Sequence, residues 1–528
     1  MCFNLFSKNF RKINLFFVIF ICAFSAFASK QMPFTPEIQR ELVIISSVHN
    51  YNLNPQTSTY SVEAQVFTGL YEGLFSYNPY TLEPECAIAD SFKISRNKLT
   101  WTISLKQNAK FSNGDKITAQ TVKDSWISLL NPSQNAPFAS LFDCVKGAED
   151  YRTGKSKDES QIGLTVKDNY TIIIKLNTPT EHLSKILCHH AFSIINPKEN
   201  VFSGAFCLSE YNNDHIILTK NQNYWDANNV ALPSIRINLS DNSEENTYLF
   251  NTGKADWITD YVDITKVYNT SSINYTSLFS TDYIFFKSDK APFNNPDIRN
   301  ALLYAIPAEK IRADRLLKAT TLVLQLRGYP EIFGVPDEDI EAAQSLLENA
   351  GYDGKENKLK ITICFTDDEP AKNRAQILQE AWQKIGVETD IIYKTGREYL
   401  DAVNTENADL FNYIWIGDFA DPLAFLELFR SSSSLNVTGW KNQKYDTLLE
   451  EAAKIADTAK RYEKLAEAEQ LLLDSGTIYP ISRTISVNVV DFDIVSGWFD
   501  NALDIHPLKY LKIIKPGPRP NVVKLFEL

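Results

Sequence analysis

The sequence predicts a mixed α/β fold divided into about three domains. Two observations predict the class: stretches with alternating apolar residues recur along the chain, and one region places a helix between two strands. The length predicts the domain number, because a chain of 528 residues is far too long for a single hydrophobic core. No internal repeat and no long low-complexity linker is visible.

The clearest local block, residues 99–132, predicts a strand, a turn and a helix in that order. Apolar and polar residues alternate from Leu99 to Lys106, which is the period of a strand with one face on a core. Asn113-Gly114 is a turn signal. Thr118 can cap a helix whose apolar residues recur at helical spacing, and Asn131-Pro132 ends that helix.

A second region predicts a βαβ unit and therefore a parallel pair of strands. Its strands are expected at Leu359–Phe365 and Glu388–Tyr393, with a helix near Ala371–Ile385 between them. The same periodicities predict further elements and one surface loop: a strand at Tyr170–Leu176, helices at Asp339–Ala350 and Lys460–Leu473, and a loop at Ser431–Ser434.

The first residues predict a secretory signal peptide. A short segment with three positive charges precedes the apolar stretch Ile13–Phe24, and the small-residue segment Ala26-Phe27-Ala28 follows. We expect cleavage before Ser29, so that residues 1–28 are removed. The apolar stretch is too short to span a bilayer, and no later window offers roughly 18 uncharged apolar residues. The mature chain is therefore expected to be exported and not integral to the membrane.

Charge and cysteine content narrow the function classes. The net charge of −12 becomes about −15 when the three positive charges of the signal are lost, and no basic patch is visible, which argues against nucleic acid as a partner. A lipid anchor at Cys22 is not favoured, because Ile21 occupies the position where a small residue is needed. Five cysteines remain in the mature chain, without a CxxC pattern, so at most two disulfides can form and a Cys188–Cys207 pair stays open.

No catalytic or cofactor-binding motif is present, so we expect neither an enzyme nor a bound metal or cofactor. The chain lacks G-x-S-x-G, H-E-x-x-H, a P-loop and G-x-G-x-x-G. Cys188-His189-His190 is the one cluster of potential ligands; on a strand its neighbours would point to opposite faces, so we expect it to be structural. An exported glycosidase stays open as an alternative, with Asp418 and Asp421 as its only candidate carboxylate pair.

The most informative segment is residues 411–425, where Asp418 stands in an almost wholly apolar and aromatic run. Removing a carboxylate from water is costly unless a cation or several donors meet it. Asp418 therefore either points to solvent, caps a turn at Asp421-Pro422, or meets a positive partner. We favour a ligand's ammonium group as that partner, whereas Asp421, which precedes a proline, is expected to be structural.

Several of these blocks, in this order, resemble the solute-binding proteins of ABC transporters that take up oligopeptides and dipeptides, known as extracellular solute-binding proteins of family 5. The resemblance covers nearly the whole mature chain. The residues that carry it are Gly69-Leu70-Tyr71-Glu72-Gly73-Leu74, Leu99-Thr100-Trp101-Thr102 through Asn113-Gly114-Asp115, Ser203-Gly204-Ala205-Phe206, Asn223-Tyr224-Trp225, Gly253-Lys254-Ala255-Asp256, Ala291-Pro292-Phe293-Asn294-Asn295 with Arg299 and Ala301, and Trp415 to Pro422.

The resemblance implies a two-lobed Venus-flytrap fold of the type II, cluster C binding proteins, with an extra inserted domain. The first lobe would comprise residues 29–68, 191–278 and 486–528, the inserted domain residues 69–190, and the second lobe residues 279–485. Crossings near 278 and 485 would form a hinge. The implied protein is periplasmic, captures short peptides with a free amino terminus, delivers them to ABC transporter permease subunits and is expected to be a monomer.

The resemblance also implies the residues of the binding site. Asp418, in the pattern W-x-x-D, would pair with the α-amino group of the peptide, and its presence favours an amine-bearing ligand over the nickel or haem of some relatives. The other implied ligand contacts are the backbone of Trp415, Ile416 and Gly417, a first-lobe strand with Thr59, Tyr60 and Ser61, and the aromatic residues Phe138 and Tyr283. For most of these, plain packing stays open as the alternative.

Two departures from the family pattern concern specificity. In some members, basic residues shortly before the tryptophan hold the peptide carboxylate, but Val403–Tyr413 contains no Lys, Arg or His. The cysteine next to the tryptophan in some relatives is Ile416 here. This chain is therefore not expected to sense peptide length through such basic residues, and a binder of another amine-bearing or chelated solute stays open.

Overall fold

The computed structural model describes residues 40–515, apart from Glu181, Asp314, Ala420 and Ala456 and the side chains at positions 396, 397 and 400. The predicted signal peptide lies outside these residues. In the part of the chain that is described, none of the helices has the length and apolar content needed to cross a bilayer.

Three sheets of at least four strands form the framework, and their strands are numbered here in chain order. The seven-stranded sheet has the order β12 (Ile273–Ser277), β18 (Ile485–Val490), β11 (Trp257–Ile258), β1 (Leu42–Ser46), β10 (Ser234–Leu239), β9 (His215–Lys220) and β8 (Phe206–Tyr211). The five-stranded sheet has the order β15 (Glu388–Lys394), β14 (Lys360–Thr366), β16 (Leu410–Ile416), β13 (Ser280–Phe286) and β17 (Ile478–Ser482). The four-stranded sheet has the order β4 (Ala89–Ile94), β5 (Thr100–Leu105), β7 (Thr171–Lys175) and β6 (Leu164–Asp168). Two small ribbons pair β2 (Phe75–Tyr77) with β3 (Pro84–Cys86) and β19 (Val495–Ser496) with β20 (Lys512–Ile513).

Helices cover and connect these sheets. In chain order they are α1 (Ser61–Leu70), α2 (Ala119–Leu130), α3 (Ala148–Arg152), α4 (Leu183–Ile186), α5 (Ser243–Asn251), α6 (Pro296–Tyr304), α7 (Ala308–Ile311), α8 (Ile340–Asn349), α9 (Glu369–Gln383), α10 (Gly396–Thr405), α11 (Leu423–Leu426), α12 (Gln443–Ala453) and α13 (Thr458–Asp474).

The predicted strand, turn and helix of residues 99–132 are confirmed. Strand β5 alternates between buried and half-buried residues, as its sequence pattern indicates. Helix α2 begins after Thr118, whose side chain accepts the backbone N–H of Thr121, and it ends before Asn131. Satisfying these otherwise unpaired N–H groups is what fixes the start of the helix.

The predicted βαβ unit is also confirmed, with small shifts at the boundaries. Strands β14 and β15 are parallel and adjacent, and α9 connects them. This helix begins two residues earlier than predicted, because Asp368 accepts the N–H of Ala371 and Pro370 occupies the first turn. The helices expected at 339–350 and 460–473 are present as α8 and α13, each preceded by a capping aspartate.

Two local predictions are wrong. Thr59, Tyr60 and Ser61 do not form a strand: the chain is extended at Tyr60, and Ser61 is the first residue of α1. Cys188-His189-His190 is not on a strand either, because a short 3₁₀ helix begins at His190. The His189 imidazole accepts the N–H of Ala191 and so stabilises this turn.

The chain passes between the seven-stranded and five-stranded sheets at two places. Strand β12 ends at Ser277 and β13 begins at Ser280, while β17 ends at Ser482 and β18 begins at Ile485. The two short segments are hydrogen-bonded to each other, since the N–H of Leu278 donates to the Thr484 carbonyl at 3.0 Å. These crossings lie where the hinge is predicted; hinge motion itself remains a prediction.

Large aromatic residues fill the core beside the four-stranded and five-stranded sheets. Trp126 and Trp382 are fully buried, and their indole N–H groups donate to the carbonyls of Phe192 and Leu302 at 3.1 and 2.8 Å. Burial of these rings is stabilising because it removes large apolar surfaces from water. It carries no desolvation penalty for the indole N–H groups, since each has a hydrogen-bond partner. The five cysteines of residues 40–515 are all free thiols.

Candidate ligand-binding cavity

A cavity of about 500 Å³ lies among residues that are widely separated in the sequence. Its lining comes from the N-terminal part of the described chain, from the loop after Ile186, from β16 and its continuation, and from the C-terminal segment. Eight of the nine residues predicted for the site line it: Thr59, Tyr60, Ser61, Phe138, Trp415, Ile416, Gly417 and Asp418. The structure therefore brings these positions together; their contact with a ligand remains a prediction.

Tyr283 is the exception and does not line this cavity. Its side chain is 2% exposed and packs with the rings of Tyr413 and Phe429 inside the five-stranded sheet's core. Every residue of β13 is buried, because neighbouring strands flank it on both sides. Its paired residue on the neighbouring strand, Tyr413, lines the cavity instead.

Strand β16 presents an open edge to the cavity. It pairs with β13 along its whole length, from Leu410 to Ile416, but with β14 only through Leu410 and Phe411. Residues Asn412 to Gly417 line the cavity, and β14 does not pair with this part of the strand edge. An unpaired strand edge offers backbone N–H and C=O groups to another extended chain.

Only one of the three predicted backbone positions faces this open edge. The N–H of Gly417 donates to the Phe279 carbonyl at 2.7 Å, so it points toward the β13 side. Because successive residues of a strand alternate in direction, Trp415 also points to β13, whereas Ile416 points to the cavity side. The prediction that all three offer backbone groups to a ligand is therefore wrong for Trp415 and Gly417.

Trp415 and Gly417 shape the cavity wall. The Trp415 indole N–H donates to the Ala424 carbonyl at 2.8 Å, and its ring lies beside that of Phe138, with 6.1 Å between centroids. A Cβ added at Gly417 would lie 2.6 Å from the Phe279 ring, so only glycine fits there.

Asp418 is largely buried and lies next to His189. Its side chain is 12% exposed, and 3.3 Å separates its Oδ1 from His189 Nε2. The His189 Nδ1 accepts the N–H of Ala191, and Nε2 is the ring nitrogen that faces Asp418. Asp418 therefore has one polar neighbour in the structure, the His189 imidazole. The carboxylate can still bind a cation.

Asp421 has the structural role that was predicted for it. Both of its carboxylate oxygens pair with Arg461, at 2.7 and 2.8 Å, and one also accepts the N–H of Leu423. Burial alone would raise the pKa of Asp421, but the hydrogen bonds and charge of Arg461 outweigh it and hold the pKa below the usual value. Asp421 therefore caps the turn at residue 422, so that Asp418 is not needed for this role.

A buried ion pair that sequence reasoning missed also lines the cavity. Lys509 Nζ lies 2.5 Å from Glu72 Oε1 and 3.0 Å from Ser76 Oγ. Glu72 also accepts hydrogen bonds from the side chains of Tyr224 and Trp225. Burial alone would lower the pKa of Lys509, but the Glu72 carboxylate outweighs it and raises that pKa. This network fixes the C-terminal segment against the end of α1.

Among the described residues, no three His, Cys, Asp or Glu side chains are grouped so as to hold a metal ion. The His189 and His190 rings are adjacent, but His190 Nδ1 bonds to the Pro55 carbonyl, and burial lowers its pKa well below the usual value. These histidines therefore belong to the wall of the cavity.

Comparisons with known proteins agree with this geometry. The profile of the family "Bacterial extracellular solute-binding proteins, family 5 Middle" matches residues 83–436. The oligopeptide-binding protein OppA of Bacillus subtilis is 27% identical over 467 residues, which cover 82% of this chain and 85% of OppA. The periplasmic murein peptide-binding protein MppA of Escherichia coli is 27% identical over 509 residues, covering 88% and 91% of the two chains.

Solved structures show the same fold. The structure of the E. coli murein tripeptide binding protein MppA superposes with a TM-score of 0.81 at 24% identity, covering 91% of this chain and 99% of the other. Haemophilus influenzae OppA, in complex with the peptide RPPGFSPFR, gives a TM-score of 0.81 at 23% identity, covering 91% and 100%. The fold is thus that of the two-lobed binding proteins with an inserted domain. Since the family profile matches well over half of its length, this chain belongs to family 5 of the bacterial extracellular solute-binding proteins.

Proposed function

We propose that this protein captures short peptides in the cavity and delivers them to the permease of an ABC importer. The observation that carries the proposal is the open edge of β16, which leads directly to the Asp418 carboxylate. An extended peptide can add to this edge as a strand. Its α-amino group, mostly protonated at neutral pH, then reaches the largely buried carboxylate of Asp418 beside His189.

The energetics favour a ligand with a free amino terminus. A charge-assisted hydrogen bond in a closed site contributes about 1.5 to 3 kcal/mol. Backbone pairing contributes regardless of side chains, and the aromatic wall of Phe138 and Trp415 adds apolar contact. The names of relatives from Bacillus subtilis and Escherichia coli, oligopeptide-binding and murein peptide-binding, support the same ligand class.

The proposal includes the organisation of the chain. The lobes would be residues 29–68, 191–278 and 486–528, and residues 279–485, with residues 69–190 inserted. In support, the seven-stranded, five-stranded and four-stranded sheets draw their strands from these three sets apart from the boundary residue Ile485. The protein would act in the periplasm as a monomer without catalysis, after cleavage of residues 1–28.

Native mass spectrometry of protein purified without added ligand tests this function. A heterogeneous ladder of short peptides, released on denaturation, is the expected result. A single defined mass would support instead another amine-bearing or chelated solute, and turnover of added peptides or glycosides would support a hydrolase.

Calorimetry provides the quantitative test. Peptides with a free amino terminus should bind at least tenfold more tightly than the same peptides after N-acetylation, because acetylation removes the charge that Asp418 meets. Equal affinity for both forms would contradict this assignment of the ligand's amino group.

A further inference from the structure

The open edge of β16 is short, because a tyrosine hydroxyl closes it at each end. At one end the backbone N–H of Asn412 donates to the Tyr399 hydroxyl at 2.7 Å, and that hydroxyl lies 2.7 Å from the Asn412 carbonyl, to which it donates. At the other end the Tyr77 hydroxyl donates to the Asp418 carbonyl at 2.7 Å. Both tyrosines line the cavity.

Two residues are left between these ends with backbone groups directed to the cavity. Since Gly417 is bonded to Phe279 on the β13 side, the residues with even numbers face the other edge. Asn412 is held by Tyr399, so Ile414 and Ile416 remain. The backbone N–H and C=O groups of Ile414 and Ile416 point away from β13. Among the described residues, none forms a hydrogen bond with these groups on the cavity side.

These groups fix the register of an added peptide. If its amino group lies at Asp418, at the C-terminal end of β16, the peptide runs antiparallel to β16. Its first residue then lies opposite Ile416 and its third opposite Ile414, because hydrogen-bonded positions recur every two residues. A fifth residue would lie opposite Asn412, where both backbone groups already bond to Tyr399.

We infer that Tyr399 sets the length of the bound peptide, so that the cavity takes peptides of three to four residues and rejects longer ones. The inference rests on the proposed function and narrows its substrate class. Val403–Tyr413 contains no basic residue that could bind the peptide carboxylate, so peptide length would have to be limited in another way. Tyr399 limits length by occupying the strand edge rather than by binding the terminal carboxylate.

Tyr399 is well placed for this role. Its side chain is 5% exposed, and it belongs to α10, which packs on β14 and β15. The hydroxyl also lies 3.1 Å from the Cys364 carbonyl of β14. A longer peptide must therefore displace a buried side chain from several hydrogen-bonded partners. Beyond Asn412 the edge is closed again, since β14 pairs with Phe411 and Leu410.

A length series on the wild-type protein is the first test. Calorimetry would use peptides of two to six residues that share one N-terminal sequence. We expect tri- and tetrapeptides to bind with similar affinity, the dipeptide at least tenfold more weakly because it cannot reach Ile414, and penta- and hexapeptides at least tenfold more weakly than the tripeptide. A hexapeptide that binds within threefold of the tripeptide would overturn the inference while leaving the proposed function intact. Failure of every length would overturn both.

The variant Tyr399→Ala tests the residue itself. This substitution removes the hydroxyl that bonds to the backbone N–H and C=O of Asn412, which frees both groups for a fifth peptide residue. The ratio of pentapeptide to tripeptide affinity should therefore rise at least fivefold. The matched control is Tyr393→Ala, an exposed tyrosine on the neighbouring strand β15 that does not line the cavity, and it should leave the ratio unchanged. An unchanged ratio in Tyr399→Ala, with the fold intact by circular dichroism, would contradict the role of Tyr399. If this variant does not fold, the wild-type series alone decides.

Discussion

Asp418 and His189 lie side by side although 229 residues separate them in the sequence. The histidine uses one ring nitrogen to stabilise its own turn and turns the other toward the carboxylate. This contact therefore orients the largely buried carboxyl group of Asp418 in the cavity wall. A carboxylate that is held in one orientation can form a strong charge-assisted hydrogen bond with a cationic group.

We expect Asp418→Asn to weaken the binding of peptides with a free amino terminus at least tenfold, or about 1.4 kcal/mol. The amide keeps the size of the side chain but loses the charge. Calorimetry with free and N-acetylated forms of one tripeptide measures the effect, and the acetylated peptide should change little.

The control for this prediction is Asp124→Asn, a carboxylate exposed on α2, which should leave both affinities unchanged. If Asp418→Asn weakens the free and acetylated peptides equally, Asp418 has a structural role instead.

At the scale of single elements, helix caps explain why several sequence predictions are accurate. Thr118 and Thr121 bond reciprocally, each side chain to the other's backbone N–H. We expect Thr118→Ala to lower the free energy of unfolding by about 1 kcal/mol, since a first-turn N–H loses its partner. Urea unfolding measures this, with Thr165→Ala on the exposed edge strand β6 as the control. Equal losses in the two variants would contradict the capping role.

Helix α13 carries a buried acid that links it to residues 322–329. Glu469 accepts the N–H groups of Leu322 and Val323 and the hydroxyl of Tyr329, each at 2.8 Å. Burial raises the pKa of Glu469 to about 7, although these hydrogen bonds act in the opposite direction. The folded state therefore holds a proton here that the unfolded state, with an ordinary value of 4.5, releases.

The sign of the pH dependence follows from this difference. Between about pH 4.5 and 7 the folded state binds the additional proton, so the contribution of Glu469 to stability is largest at low pH and declines as the pH rises. We expect the free energy of unfolding of Glu469→Gln, relative to wild type, to increase from pH 5 to pH 7.5. Urea unfolding at both values measures it, and a constant difference would contradict the raised pKa.

The same scale shows what the sequence could not predict. Helix caps and alternating patterns involve residues that are close in the sequence, so β5, α2 and the βαβ unit could be predicted from residue spacing. Lys509 with Glu72, and Tyr399 with Asn412, depend on how distant elements pack, and no local pattern indicates them. Tyr283 was expected in the site because of the family resemblance, but it does not line the cavity, since the strands on both sides of β13 bury it.

At the scale of the whole molecule, the proposed inserted domain contacts the proposed second lobe through the predicted surface loop at Ser431–Ser434. Ser434 Oγ donates to the Pro137 carbonyl at 2.6 Å, and Arg152 donates to the Ser432 carbonyl at 3.0 Å. Neighbouring Phe138 lines the cavity. These bonds therefore hold one wall of the cavity in place.

We expect Ser434→Ala to weaken tripeptide binding about fivefold, equivalent to about 1 kcal/mol for one neutral hydrogen bond. The matched control is Ser432→Ala, which keeps the backbone carbonyl that Arg152 uses and should bind normally. Calorimetry compares the two variants, and identical affinities would show that the Ser434 bond does not support this wall of the cavity.

The two crossings between the large sheets are each two residues long and are bonded to one another. We expect these two adjacent segments to act as a single hinge, so that the two proposed lobes turn about one axis and do not slide past each other. In such a rotation the β16 edge would separate from the opposite wall of the cavity along one arc, and a bound peptide would enter and leave broadside, with its backbone hydrogen bonds forming or breaking together.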